Sequence, residues 1–243
     1  MSTEYYSGQG RLYIAKYNNG VLGPYRWLGN VPKLELTTEV ETLEHQESYT
    51  GSRLTDKKII RGKTVGYSYD LEEITTENLA LAYQGLIEQV EAGTETSATS
   101  PTDIKQGDLW TLKNQNLTNV VIVDSTSGTA QPLVVDVDYK LNDKFGSVEI
   151  IGDLSSLTLP LVATYDHSPT TKIKFLKAAS GEYALRFEGL NTAEENAPVL
   201  VELHKASQEP AKQFGLINDE FATLSIEGEA LAVDGDIVTI TKI

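Results

Sequence analysis

The chain of 243 residues contains no cysteine, which excludes disulfides, thiolate metal sites and thiol nucleophiles. Histidine is almost as scarce, with only His45, His167 and His204. Long apolar runs are missing as well: no stretch approaches the roughly 20 consecutive apolar residues of a membrane-spanning helix. The amino terminus, "MSTEYYSGQGRLYIAKY", has no basic start followed by an apolar run, so no secretory signal is expected and synthesis in a cytoplasm is. Cations are outnumbered too, 20 Lys and Arg against 35 Asp and Glu, for a formal charge of −15. Affinity for a phosphate backbone comes mainly from Lys and Arg displacing counterions, so tight nucleic-acid binding is not expected. The same charge is compatible with DNA passing by without sticking.

What the chain does have is alternation. Leu34, Leu36 and Val40 alternate with charged neighbours, and Val65, Tyr67, Tyr69 and Leu71 with Gly66, Ser68 and Asp70. Tyr183, Leu185 and Phe187, then Val199, Val201 and Leu203, repeat the pattern, and Leu224, Ile226 and the terminal "DIVTITKI" extend it. A period of two predicts half-buried strands, here antiparallel with one face in a core. One helix is predicted over about 76–91, capped by Thr75 or Thr76, with Glu77 at its positive end and Leu79, Ala82, Tyr83, Leu86 and Val90 as its stripe. Gly93 is its expected stop. The Thr-, Ser- and Gly-rich "GTETSATSPTD" at 93–103 has the composition of a linker. After it, from about 105 to 166, short β-branched runs predict a small inserted β subdomain.

Residues 39–63, "EVETLEHQESYTGSRLTDKKIIRGK", begin as a strand and then lose apolar periodicity for about fifteen residues. Their charges are sorted: Glu39, Glu41, Glu44 and Glu47 precede Arg53, Lys57, Lys58, Arg61 and Lys63. Glu41, Glu44, His45 and Glu47 suggest a metal site only weakly, because a second imidazole at zinc spacing is absent. "RGKT" at 61–64 lacks the first glycine of a phosphate loop and stands at a strand start, not before a helix. Asp136, Asp138 and Asp143 hint at calcium, but the EF-hand glycine and bidentate glutamate are absent, and a polar turn explains them. No cofactor is implied, and no nucleophile–base arrangement can be singled out from spacing, so an enzyme is not expected.

Several stretches together resemble the major tail tube proteins of long-tailed, noncontractile bacteriophages. They are "GQGRLYIA", "LGNVPKLELTTEVETLEHQESYTGSR" and "DLEEITTENLALAYQG" in the first half. In the second half they are "YALRFEGLNTAEENAPVLVELHKASQEPAKQFGLINDEFATLSIEGEAL". The matching features are a G-N-V-x-x-L-x-L strand entering an acidic loop, a helix entered through L-T-x-E-N-L, an R-F-x-G-x-N strand end and an x-L-x-I-E-G-E-A-L strand. They cover about residues 7–92 and 171–233.

The resemblance implies a mainly β protein, an antiparallel β-sandwich or barrel-like core with one flanking α-helix and an inserted small β subdomain. The core would comprise 1–94 and 167–243, and the insertion, 105–166, would decorate the outer surface. Six copies would form a ring whose sheets join into an inner barrel, and rings would stack into the tail tube of a virion. Partners would be further copies of the chain, a tape-measure protein, tail terminator and tail-tip proteins, and passing double-stranded DNA held by no specific contact. Residues 39–61 become an inter-ring assembly arm, with Glu41, Glu44, His45, Glu47, Tyr49, Arg53, Lys57 and Lys58 as its contacts. Glu35 and Thr37 become candidates to face the lumen. Two alternatives stay open: a contractile-tail or type VI secretion-like tube, and a monomeric carbohydrate- or cell-surface-binding β module using Trp27 and Trp110.

Overall fold

A computed structural model describes residues 4–243. The chain is mainly β and antiparallel, and it divides into two compact units, residues 1–86 with 173–243 and residues 87–172. The first unit opens with β1 (Gly8–Asn18), β2 (Val21–Leu22), β3 (Arg26–Trp27), β4 (Lys33–Gln46), β5 (Thr55–Leu71) and α1 (Thr76–Ala82). The chain then runs through β6 (Leu86–Val90), β7 (Gly93–Thr99), β8 (Leu109–Thr111), β9 (Leu117–Val123), β10 (Tyr139–Asn142), β11 (Ser147–Ile150), β12 (Val162–His167) and β13 (Thr170–Lys174). The first unit closes with β14 (Glu182–Asn191), β15 (Ala197–Gln208), β16 (Leu224–Leu231) and β17 (Val238–Lys242).

The strands of the first unit make one sheet in the order β2-β1-β14-β15-β16-β5-β4, with β17 on β15 and β3 on β1. Its second edge at β15 is divided: Val199–Leu203 pair with β17, whereas Lys205–Gln208 pair with β16. Changing partners along one strand lets the sheet fold over as a sandwich instead of closing into a barrel. Between the layers, Leu12 and Ile14 of β1 share one cluster with Tyr67, Tyr69 and Leu71 of β5 and Leu224 and Ile226 of β16. The residues of β5 and β16 are the positions that the alternation assigns to the core, and Leu12 and Ile14 join them. The Tyr69 hydroxyl donates to Gln208 Oε1 at 3.1 Å, and Gln208 Nε2 donates to the Leu81 carbonyl at 3.0 Å. Burial pushes the Tyr69 hydroxyl well above its ordinary pKa. Strand and helix are thus joined by a buried polar link that leaves neither partner unsatisfied.

Helix α1 is shorter than the predicted 76–91. Thr75 caps it, accepting from the Asn78 N–H at 3.2 Å, and Glu77 lies in the first turn. Termination comes at Tyr83, because Gln84 takes a left-handed φ of 47° and the Gly85 N–H bonds back to the Ala80 carbonyl at 2.7 Å. A side chain on Gly85 would meet Ile173 Cγ2 at 2.8 Å, so the stop is Gly85 and not Gly93. Leu86 and Val90, which fit the helical stripe, belong to β6 instead.

The second unit contains two three-stranded sheets, β10-β11-β8 and β7-β12-β9. Trp110, Ile122, Tyr139, Val148, Ile150, Leu161 and Tyr165 form its own core. The stretch expected as a linker is β7, an outer strand of the second sheet, paired with β12 from Thr99↔Val162 to Gly93↔His167. Its threonines are β-branched and suit a half-exposed strand, although their polarity reads as loop. The unit therefore begins near residue 87, earlier than the predicted 105, and extends past 166 to 172.

Candidate functional site

Strands β4 and β5 form a hairpin whose two ends differ. From Val65 to Asp70, β5 is paired on both edges, with β4 on one side and β16 on the other. From Thr55 to Thr64 its only partner is β4, and β4 has no neighbour on its other edge among the described residues. The distal part is a two-stranded ribbon with two open edges, a form only marginally stable alone. Unpaired backbone donors and acceptors along such edges are templates for another strand.

The stretch expected as a polar loop is therefore mostly strand. Residues 39–46 and 55–63 remain in register, apart from irregularities at Glu41/Thr42 and His45/Gln46. Bulges of this kind shift the alternation and add twist, which is why the periodicity vanishes from the sequence. Apolar side chains also escape notice there: Val40, Leu43, Ile59 and Ile60 are all exposed, Ile60 at 59%. Leu43 lies opposite Ile59 and Thr42 opposite Ile60. Leu43 and Ile59 lie on one face of the ribbon and Ile60 on the other, so both faces of this thin element expose apolar side chains.

Antiparallel pairing places the sorted charges side by side. Glu44 Oε1 accepts from Lys58 Nζ at 2.7 Å, and His45 Nδ1 lies 2.5 Å from Asp56 Oδ1, both pairs exposed. Pairs of this kind contribute roughly 0–1 kcal/mol each, so they set register more than stability. Glu41 stands opposite Gly62 and Lys57 opposite His45, while Tyr49 and Arg53 lie exposed in the turn between the strands. Outgoing residues 39–44 thus carry acids along one edge strand, and returning residues 57–63 carry bases along the other.

Glu47 differs from the other arm candidates. It is buried, and its carboxylate accepts from the Tyr49 and Thr50 N–H groups at 2.9 Å, from the Leu54 N–H at 3.4 Å and from the Thr50 hydroxyl. Donors aimed at the charged form favour it, led by the Thr50 hydroxyl, and lower the carboxyl to about 2. Gly51 and Arg53, both with left-handed φ, complete the turn. Glu47 organises the tip from within and has no carboxylate oxygen free of it.

Beside the ribbon, residues of β4, β5 and β16 that point away from the core share one face, because opposite residues in a ladder lie on the same side. Glu35 stands beside Ser68, Thr37 beside Gly66, Lys33 beside Asp70 and Asp70 beside Ser225. Glu39, Glu41, Glu227 and Glu229 extend the same face, with Lys33 and Lys212 paired to Glu35 and Glu227 as its cations. The result is an acidic sheet surface, on which both residues expected to face a lumen are found.

The remaining sequence candidates are placed elsewhere. Asp138 accepts from the Val134 N–H at 2.7 Å and Asp143 from the Lys144 N–H at 2.9 Å, as turn residues do. No grouping of three metal-ligating side chains occurs among the described residues. Trp110 lies in the core of the second unit, and Trp27 is half exposed with the Arg11 guanidinium 5.4 Å from its ring centre, so the two do not form an aromatic platform.

The fold and this surface define a mainly β protein carrying an open-edged hairpin next to an acidic sheet face. Residues 5–238 match the model of a family described as protein of unknown function UCP028589, and the chain belongs to that family. No match was found among curated proteins.

Proposed function

We propose that the protein is a structural subunit that polymerises by joining its hairpin ribbon to further copies, as in the tube of a bacteriophage tail. The observation that carries this reading is the ribbon over residues 39–63, whose two open edges bear opposite charge. An acidic edge accepts a basic one and rejects its own kind, so the favoured contact is head to tail, which closes into rings or propagates along an axis. Six copies joined this way extend β4 and β5 into a continuous sheet around an opening.

The acidic face supports a conduit. If Glu35, Thr37, Glu39, Glu41 and Glu227 line the bore, passing DNA meets repulsion and finds few cations to hold its phosphates. Such a subunit catalyses nothing; its chemistry is edge pairing and surface charge. Negative-stain electron microscopy of the purified protein across a concentration series tests the reading. Six-fold rings or hollow tubes are expected at high concentration; a particle that remains monomeric throughout would refute it.

A further inference from the structure

The sandwich of the first unit is open along one side. Among the described residues β4 pairs only with β5 and β17 only with β15, so each has an unpaired edge. The start of β4 and the end of β17 border one groove of about 980 Å³, walled by Leu34, Leu36, Val199, Val201 and Ile240. Leu36 and Ile240 lie on the core side of their strands, with Leu34 and Val201, yet both are exposed. An apolar groove beside open strand edges accepts an extended segment, which bonds through its backbone and seats alternate side chains.

Charge selects the occupant. Glu4, Glu35 and Glu194 line the groove, and its two lysines, Lys33 and Lys242, are already held by Glu35 and Glu4. Three carboxylates against two lysines leave it negative, so it suits a basic strand and disfavours an acidic one. In the distal half of β5, Lys57, Arg61 and Lys63 have no ion-pair partner among the described residues. They surround the exposed Ile59 and Ile60 on a stretch whose second edge is open. Residues 57–63 cannot reach the outer edge of their own β4, because they are paired to its inner edge.

We infer that residues 57–63 of one copy lie in this groove as a strand added to the outer edge of β4 in a second copy. The contact rests on the ribbon being the polymerising element, as proposed above, and it names the surface that receives it. A sheet that continues from copy to copy keeps one face inward throughout. Ile60 stands opposite Thr42 and Lys63 opposite Val40, positions that share the core side of β4 with Leu34 and Leu36. Ile60 and Lys63 therefore turn into the groove, towards its apolar wall and its carboxylates. Lys57 and Ile59 fall on the other side, the acidic face that holds Glu35.

The chain has no cysteine, so introduced thiols report this contact alone. Within one chain, Leu36 lies about 20 Å along β4 from Thr42, the partner of Ile60, at about 3.3 Å per residue. A short bismaleimide cannot bridge that gap, but it spans the roughly 7–8 Å between diagonal neighbours on adjacent strands. The double variant Ile60→Cys with Leu36→Cys, treated with this reagent at high concentration, is expected to give a ladder of covalent oligomers on denaturing gels. Mixing the two single variants should give a heterodimer and nothing larger. Ile60→Cys with Leu109→Cys, on the second unit, is the control and should not ladder. No ladder, or one equal to the control, overturns the inference; rings or tubes seen by microscopy in that case would mean that the ribbon polymerises through another surface. A ladder from a protein that never forms rings or tubes supports the groove contact and refutes only the tube. Lys63→Glu, at an exposed position, should fold normally and cut the ladder at least tenfold at equal protein concentration; an unchanged yield would also overturn the inference.

Discussion

The two halves of β5 are one continuous strand with opposite circumstances. Val65–Leu71 has a neighbour on each edge as far as Asp70 and places Tyr67, Tyr69 and Leu71 in the core. Thr55–Thr64 has one neighbour, two solvated faces and exposed Ile59 and Ile60. The contrast is the basis of the proposed assembly: the proximal half is completed within the chain, and the distal half leaves edges open that the proposal fills with a second copy. Pairing with β4 runs through both halves, but its two irregularities fall in the distal one, so the difference lies in those bulges, in side chains and in the missing partner strand.

The largest effect tests the completed half. Tyr69→Ala should cost about 3–5 kcal/mol, the range for truncating a buried aromatic, and should also strand Gln208; denaturant unfolding of the dilute protein measures it. On the distal half, Ile59→Ser with Ile60→Ser should change that stability by less than about 0.5 kcal/mol, as for exposed sites. The same pair should raise the concentration needed for assembly at least tenfold, read by sedimentation. Equal effects of both changes on unfolding would erase the distinction.

The turn supplies a more local test. Glu47 has a folded pKa of about 2, below its ordinary 4.5, so it stabilises the turn above pH 4.5 and that contribution is lost as pH falls towards 2. Amide exchange at Tyr49 and Thr50 should quicken across that window, and Glu47→Gln should flatten the dependence. The smallest effect belongs to the exposed pair Glu44 and Lys58. Exchanging them, as Glu44→Lys with Lys58→Glu, keeps the pair within the hairpin and should alter stability by under about 1 kcal/mol. It blurs the charge difference between the edges, so assembly should weaken measurably while unfolding does not.

The legibility of the sequence follows the same division. Where one face is buried, alternation is faithful: Tyr67, Tyr69, Leu71, Val199, Val201 and Leu203 all lie where the period of two places them. Where both faces are wet, nothing enforces it, and the bulges near Glu41 and His45 hide two strands inside an apparent loop. The end of α1 depends on a left-handed Gln84, and Leu86 and Val90 satisfy a helical stripe without being in one. Strand β7 escaped because threonine serves linkers and strands alike. The charge sorting along residues 39–63 is visible in the sequence, but the internal role of Glu47 arises only when the turn brings four donors around one carboxylate. Glu35 and Thr37 share an acidic face because of pairing to Ser68 and Gly66, a register that alternation alone does not set.

Hydrogen exchange along β5, measured in dilute protein and again at high concentration, tests the central claim most directly. Amides of Val65–Leu71 should be protected in both samples, and those of residues 57–63 that face the open edge should exchange fast when dilute and slowly when concentrated. Exchange at 57–63 that is the same at both concentrations would contradict the claim that this edge is completed by another copy of the chain.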